Sequence, residues 1–184
     1  EVSKSDKKYK IKTASNTYYQ DSQVRFKPKN AAILYIDNFE HRPEWNKDLN
    51  DNEYKGILEV REIDGTMTVI NELSLENYLK GLGEVSNSEL TEKIKSVMIA
   101  ARSYALFYIE KDQKFKGKPY NLDDDPNVSQ KYLGYGLEKR SPNISKAIDE
   151  TKGQGVTLKG ELVKTPYFNQ TDGTFTKSAK DVWI

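Results

Sequence analysis

The amino-acid sequence predicts an α+β fold, in which mixed β-sheets with hairpins pack around one long central helix and a shorter preceding helix. Three patterns predict this class. Alternating apolar residues flank the turn Asp64-Gly65, a helical repeat begins at Leu75, and the longest helical repeat runs from near Glu89 to about Lys111. The 184 residues suit one domain, with or without a small appendage, and no internal repeat divides them.

The first part of the chain separates into a polar start and a region of strands and loops. Residues 1–30 are Lys-rich, and we interpret them as an N-terminal extension of a domain that covers residues 31–184. Ala31–Ile36 has the aliphatic content of a strand, whereas Asp37–Asn52 is rich in turn-forming residues and predicts a long loop. Two roles stay open for residues 1–56, a tether or a cover over a groove.

A hairpin and a short helix follow. Ile57–Ile63 alternates in polarity, Asp64-Gly65 is a strong tight-turn signal, and Thr66–Ile70 returns as the partner strand. Ser74 is then suited to cap a helix, because its side chain can accept a hydrogen bond from the first turn. The helix is predicted from apolar residues at helical spacing, which are Leu75, Tyr78, Leu79 and Leu82.

The long helix carries two charges on its apolar face. At 100° per residue, Lys95 and Arg102 lie seven residues apart on one side of the helix, inside an arc of apolar side chains. A charge in such surroundings must be paired, extend its head to water or line a cleft. Two interpretations therefore stay open: both stems extend along the edge of the core, or both groups border a groove and meet an anionic group.

The second half of the chain is richer in turns. Residues 112–142 contain several Gly, Pro and Asp residues without clear periodicity, which is typical of a functional loop or a lid. Asn143–Thr151 predicts a short helix. Gly155–Leu158 and Leu162–Phe168 flank Lys159-Gly160 and predict a second hairpin.

The composition excludes several classes of function. Lys plus Arg is 29 and Asp plus Glu is 28, so the net charge of +1 gives no reason to expect a nucleic-acid partner. Cysteine is absent, which removes disulfides, thiolate metal sites and thiol catalysis. No apolar run approaches the roughly 20 residues of a membrane span. Because the chain begins at Glu1 without a signal-peptide pattern, we interpret it as a mature or trimmed form.

Glu84 is the acid that the sequence places best for chemistry. It follows Gly81 and Gly83, which are expected to weaken and then end the short helix, and so lies in the joint between the two helices. A carboxylate at such a joint is held by two rigid elements without lying on a solvated helix face. The alternative is an ordinary solvated glutamate, which most glutamates are.

Three stretches of the sequence resemble the sporulation stage II protein D and amidase-enhancer domain family. Together they span roughly residues 57–183 in the order of the family's motifs. They are Leu75–Gly81 with Glu84, Lys95 and Ala100–Ala105; Ala147–Gly153 with Val156-Thr157; and Tyr167 through Trp183.

The resemblance implies an extracytoplasmic protein of the bacterial cell envelope that binds peptidoglycan glycan strands. The sporulation branch of the family contains lytic transglycosylases that cleave strands stripped of stem peptides, and its catalytic glutamate falls on Glu84. The enhancer branch implies an alternative, a non-enzymatic module that binds glycan and stimulates a cell-wall amidase. The presence of Glu84 favours the enzyme, and neither function calls for a cofactor.

Further site residues are predicted around Glu84. The family's helix cations fall on Lys95 and Arg102. A direct contact of Arg102 with Glu84 would lower the pKa that a general acid needs, so we expect both cations to contact the substrate or a different carboxylate. The loop residues Asn169, Gln170, Thr171 and Asp172 have polar groups suited to sugars, or else form an ordinary polar turn. The rings of Tyr120, Tyr132, Tyr135 and Tyr167 are suited to stack on sugars, or else belong to the core.

The sequence departs from the family at two points. Some members have a Cys and His pair that can hold a metal, but this chain has no Cys and its one histidine, His41, lies far upstream, so no metal site is predicted. The acidic run Asp123–Asp125 lacks the spacing of a calcium loop and predicts a turn. The family's closing motif continues beyond the position of Trp183, so we expect a C-terminal piece to follow Ile184.

Overall fold

The computed structural model describes residues 1–5 and 7–167, and it confirms the predicted α+β class. Eight of the ten strands in the described residues precede residue 73, and the α-helices lie between residues 75 and 150. The strands in the described residues are β1 (Val2–Ser5), β2 (Lys8–Lys12), β3 (Thr17–Gln20), β4 (Val24–Phe26), β5 (Leu34–Tyr35), β6 (Glu53–Tyr54), β7 (Ile57–Ile63), β8 (Thr66–Glu72), β9 (Thr157–Leu158) and β10 (Glu161–Leu162). The helices are α1 (Leu75–Lys80), α2 (Thr91–Phe107), α3 (Tyr135–Arg140) and α4 (Pro142–Glu150).

The strands form small antiparallel sheets. One has the order β1-β2-β3 and another the order β4-β7-β8, while β5 pairs with β6 and β9 with β10. The β7–β8 pair is the predicted hairpin, with Ile63 opposite Thr66. Its two turn residues both have positive φ, 51° for Asp64 and 81° for Gly65, as a tight hairpin turn requires. The β9–β10 hairpin around Lys159-Gly160 is also confirmed, although its strands are shorter than predicted.

Strand β4 ties the polar start of the chain to the larger sheet. It pairs with β7, placing Val24 opposite Val60, and Val24 is buried. The buried Tyr9 of β2 also reaches this sheet, because its hydroxyl accepts a hydrogen bond from the amide of Glu62 at 2.7 Å. Residues 1–30 therefore pack on this sheet through backbone pairing and several side-chain contacts, and the boundary at residue 30 stays a prediction.

Helix α2 begins later than its sequence pattern predicts. Leu90, expected on the apolar face, occupies the position before the first turn and is 80% exposed. At the other end, α2 continues into a π-helical turn over Tyr108–Asp112, after which Gln113 adopts a left-handed conformation. Such turns are rare and are often found at functional sites.

Two short helices follow the long turn-rich segment. Helix α4 confirms the predicted helix at Asn143–Thr151, and Pro142 occupies its first turn, where the missing N–H costs nothing. Helix α3 falls inside the segment for which the sequence predicted turns. It begins after Gly134, which has a φ of 73°, and has six residues, too few for a clear helical repeat.

The main core lies where α1, α2 and α4 meet. The partly buried rings of Tyr78, Tyr132 and Tyr167 pack against it. None of the helices in the described part of the chain has the length and apolarity needed to cross a bilayer. The fully packed core residues are Leu79, Leu82, Val85, Ile94, Met98, Ala101, Ile144, Ala147 and Ile148.

Candidate functional site

Glu84 lies at the end of a short extended segment that pairs with another part of the chain. The amide of Gly83 donates to the Lys131 carbonyl at 2.8 Å, and the amide of Leu133 donates to the Gly81 carbonyl at 2.8 Å. The same pairing brings the Lys131 amide to the carboxylate of Glu84, with a distance of 2.7 Å to Oε1. One carboxylate oxygen is therefore held by the main chain of the paired segment, whereas the sequence expected the two flanking helices to hold the carboxylate.

The two glycines before Glu84 allow this close approach. A Cβ added at Gly81 would lie 2.5 Å from Cε2 of Tyr132, and one added at Gly83 would lie 2.9 Å from Cδ1 of Leu133. A side chain at Gly81 would force the Tyr132 ring to move, whereas one at Gly83 would only displace the end of the Leu133 side chain. The sequence predicted these glycines as helix breakers, and the structure shows that they also make room for the segment that orients Glu84.

The surroundings of Glu84 favour its protonated form. Burial raises the pKa of Glu84 above its ordinary value, while the amide of Lys131 and the hydroxyl of Tyr167 offset part of that rise. The balance follows from simple electrostatics, since desolvation disfavours the carboxylate and hydrogen bonds to it favour it. A half-buried carboxyl group with a raised pKa can hold a proton nearer to neutral pH than an exposed glutamate.

Three tyrosines line the same place. The negative charge of Glu84 helps to raise the pKa of Tyr78, Tyr104 and Tyr167, although burial is the main cause for each. For Tyr104 the pKa rises to about 12. The rings of Tyr104 and Tyr167 meet edge to face with centroids 6.3 Å apart. Glu84 is thus bordered by aromatic surface that stays uncharged at any physiological pH.

The buried amide of Gln130 fixes two of these tyrosines, and the sequence reasoning missed it. Gln130 is 1% exposed, and its Nε2 donates to the hydroxyl of Tyr167 at 2.7 Å and to the carbonyl of Ala101 at 3.3 Å. Its Oε1 accepts from the hydroxyl of Tyr78 at 3.1 Å. Because the Tyr167 oxygen accepts from Gln130, its own proton is free to point at Glu84. A lone Gln in a turn-rich segment gives no signal that would reveal this role.

Arg102 makes a buried ion pair that does not involve Glu84. Its side chain is 1% exposed, and it meets both oxygens of Glu76, with Nε–Oε1 at 3.0 Å and Nη2–Oε2 at 2.9 Å. The guanidinium also donates to the carbonyls of Ile148 at 3.3 Å and Gln154 at 3.2 Å. The ion pair thus ties α2 to α1, and the other bonds of the guanidinium tie α2 to the end of α4 and to the segment after it. The carboxylate that Arg102 contacts is Glu76 and not Glu84.

Lys95 also meets other carboxylates, but nearer the surface. Its Nζ lies 3.3 Å from Oε1 of Glu92 and 3.0 Å from Oε2 of Glu150. These hydrogen bonds, the one to Glu150 first, raise the pKa of Lys95 above its ordinary value. The two cations that the helical wheel flagged therefore have different surroundings, one fully buried and one a quarter exposed.

The remaining candidate tyrosines each have an aromatic or cationic partner. Tyr132 stacks on Tyr78 with centroids 5.2 Å apart, Tyr120 packs on Phe115, and Tyr135 lies under the ammonium group of Lys55. Tyr120 and Tyr135 are only partly buried, so both interpretations of these two residues stay open. The predicted loop residues Asn169, Gln170, Thr171 and Asp172 lie outside the described residues.

The described residues offer no evident metal site. Across residues 1–5 and 7–167, no three His, Asp or Glu side chains converge as metal ligands. The acidic run behaves as the predicted turn, since Asp123 Oδ1 accepts from the amide of Asp125 at 2.9 Å, and Asp125 Oδ1 accepts from the amide of Asn127 at 2.8 Å.

Comparison with known proteins places this site within a family. The profile of the stage II sporulation protein (SpoIID) family matches residues 63–158, slightly more than half of the chain. An uncharacterized protein of Brachyspira hyodysenteriae is 35% identical over 73% of this chain and 36% of its own length. The amidase enhancer of Bacillus subtilis is 28% identical over 57% of this chain and 13% of its own length. The chain thus spans about a third or less of these relatives.

Proposed function

The chain belongs to the stage II sporulation protein (SpoIID) family, and on that premise we propose that it binds and cleaves the glycan strands of peptidoglycan in the bacterial cell envelope. The proposed activity is that of a lytic transglycosylase on denuded strands, with Glu84 as general acid and then general base. The observation that carries the proposal is the half-buried Glu84, held by the Lys131 amide and given a raised pKa by burial.

The proposed reaction requires one group that donates a proton and later accepts one. Protonated Glu84 donates its proton to the glycosidic oxygen as the bond to C1 of the muramic acid breaks, because that oxygen is otherwise a poor leaving group. The 6-hydroxyl of the same sugar then attacks C1 and gives its proton to the Glu84 carboxylate. The product is a 1,6-anhydro sugar, no water is consumed, and Glu84 ends protonated as it began.

The electrostatics around Glu84 support a mechanism with one carboxylate. Glycoside hydrolases need a second carboxylate to activate water or to attack the sugar. Among the described residues, the groups that shift the pKa of Glu84 are Lys131 and Tyr167, and neither is an acid. Tyr167, whose hydroxyl is held by Gln130, is suited to orient the carboxyl group between its two tasks.

The other predicted site residues take different places in this proposal. Lys95, which is a quarter exposed, shares a helix face with Arg102 and pairs with Glu92 and Glu150, so a sugar that it contacts would lie on the side of α2 away from Tyr104. Arg102 is too deeply buried for a sugar to reach, so we assign it to the position of α1, whose end leads to Glu84. The sugar-contacting loop Asn169–Asp172 remains part of the proposal on the strength of the family resemblance.

A second candidate function rests on one of the relatives. The similarity to an amidase enhancer of Bacillus subtilis favours a module that binds glycan and stimulates a cell-wall amidase without cleaving strands itself. Glu84 would then bind rather than react. The two functions differ in their products, since only the first one makes 1,6-anhydro ends.

Mass spectrometry of glycan strands separates the two. Purified strands with and without stem peptides are incubated with the protein and with Glu84→Gln, which keeps the size of the side chain and an oxygen for the Lys131 amide. Anhydro-muramic ends from the parent and none from Glu84→Gln are expected. Intact strands with both proteins, together with faster release of stem peptides by an added amidase, would replace the first function by the second.

A further inference from the structure

A second group of charges lies one helical turn beyond the candidate site. Tyr104 packs edge to face on Tyr108, with ring centroids 4.8 Å apart, and Tyr108 opens the π-helical turn. The ammonium groups of Lys114 and Lys164 lie 5.1 Å and 5.4 Å from the centroid of the Tyr108 ring. Four residues of helix correspond to about 6 Å of rise, so the ring that these lysines contact lies one turn beyond Tyr104.

Two hydrogen bonds position the segments that carry these lysines. Thr165 is buried, and its hydroxyl donates to the carbonyl of Ala100 in α2 at 2.7 Å. This bond fixes the segment that carries Lys164 on one side of Thr165 and Tyr167 on the other. Lys114 in turn donates to the carbonyl of Val128, which lies shortly before the segment that orients Glu84.

A second tyrosine with two lysines shows what is unusual here. Lys55 and Lys139 lie 4.7 Å and 5.7 Å from the centroid of the Tyr135 ring, but each also has a carboxylate partner, at 2.7 Å from Glu138 and 2.7 Å from Glu53 respectively. For Lys114 and Lys164, no carboxylate in the described part of the chain lies within ion-pair distance. Neither ammonium group is therefore neutralised by a carboxylate there, so both can attract an anion.

We propose that Lys114, Lys164 and Tyr108 form an anion subsite that takes a carboxylate of the glycan strand beside the bond at Glu84. This inference rests on the proposed function for its ligand. In a denuded strand, the lactyl group of each muramic acid ends in a free carboxylate, whereas in a strand with stem peptides that carbonyl is an amide without charge. The ammonium groups bind the carboxylate by charge-assisted hydrogen bonds, and the Tyr108 ring stabilises the two cations.

Binding of denuded strands by a non-cleaving protein tests the subsite. In the Glu84→Gln background, Lys114→Met with Lys164→Met is compared with Lys139→Met, which removes a lysine beside Tyr135. Fluorescence anisotropy of labelled strands gives the affinities. We expect a loss of roughly tenfold or more for the double change, as for one lost charged hydrogen bond, and less than twofold for the control. Strands with methyl-esterified carboxylates should bind the Glu84→Gln protein as weakly as the double variant binds denuded ones.

The outcomes separate the subsite from the proposed cleavage. Equal affinity of the double variant and its parent, or no effect of esterification, overturns the subsite even if the protein cleaves strands. A selective loss with the double variant supports it even if mass spectrometry finds no anhydro ends. If the Glu84→Gln protein binds no denuded strand at all, the subsite is also refuted. Circular dichroism of the three proteins shows whether Tyr108 still packs after the changes.

Discussion

The ion pair between Arg102 and Glu76 gives the sharpest prediction of stability. Its guanidinium is 1% exposed and Glu76 is 24% exposed, and both carboxylate oxygens are bonded. Glu76→Gln replaces one oxygen by an NH2 group that faces an N–H donor, and it leaves a buried charge without a counter-charge. Breaking a buried pair in this way costs about 3–5 kcal/mol; since water reaches Glu76, we expect a cost somewhat below that range, about 2–3 kcal/mol.

The same helix supplies a matched control. Glu92→Gln removes a carboxylate that is 84% exposed and lies 3.3 Å from Lys95, whose other partner Glu150 remains. An exposed pair of this kind contributes little to stability, so we expect a nearly unchanged unfolding midpoint. Urea unfolding, with equal slopes required for all proteins, measures both changes. A typical domain has a free energy of unfolding of about 5–15 kcal/mol, so the loss expected for Glu76→Gln is large and the loss expected for Glu92→Gln is small.

A double change shows whether the cost comes from the unpaired charge. Glu76→Met with Arg102→Leu removes both charges, although it also leaves the carbonyls of Ile148 and Gln154 without their donor. If the buried charge is the cause, the double variant should be more stable than Glu76→Gln alone. Glu76→Gln and Glu92→Gln with equal midpoints would refute the reasoning, and Arg102 would then be better explained as a solvated or substrate-facing group.

Three further predictions concern the joint that holds Glu84. Because burial raises the pKa of Glu84 in the folded state, ionisation of Glu84 opposes folding as the pH rises through that pKa. Glu84→Gln should therefore be more stable than the parent at neutral pH and equally stable in acid. Thermal unfolding measured across a range of pH checks this. Tyr167→Phe removes a hydroxyl that lowers the pKa of Glu84, so the alkaline limb of the cleavage profile should move to higher pH; an unmoved limb would contradict this role. Gly81→Ala places a Cβ 2.5 Å from a ring carbon of Tyr132, and should cost about 1–3 kcal/mol and most of the activity. Gly155→Ala, whose nearest contact would be 3.4 Å, should leave both unchanged.

The sequence predicted those parts of the fold whose causes are local. The β7–β8 hairpin followed from alternation and from Asp64-Gly65, and α2 followed from a repeat long enough to exceed chance. The start of α2 was placed too early because Leu90 continues the apolar spacing, although the chain has not yet turned into the helix there. Helix α3 was missed because it is short and its entry depends on the backbone of Gly134.

The candidate site was predictable only where residue type restricts the answer. Glu84 could be singled out from its place after two glycines and from the family resemblance. The contacts that give it chemical character come from Lys131, Gln130 and Tyr167, which are 46 or more positions away along the chain. Pairings over such distances depend on packing, which one sequence without relatives does not reveal. The short-range pattern likewise flagged Arg102 without identifying Glu76 as its partner.

The geometry of α2 explains how a buried cation and an acid with a raised pKa can lie in one small region. Arg102 and Tyr104 are two residues apart, so at 100° per residue their side chains leave the helix on nearly opposite sides. Tyr104 belongs to the aromatic surface beside Glu84, whereas Arg102 turns toward Glu76 and the end of α4. Among the described residues, Arg102 is accordingly not one of the groups that shift the pKa of Glu84. One face of the helix therefore fixes α1 by a full ion pair, and the other places the uncharged ring of Tyr104 near Glu84, whose pKa burial keeps raised although the Tyr167 hydroxyl offsets part of the rise.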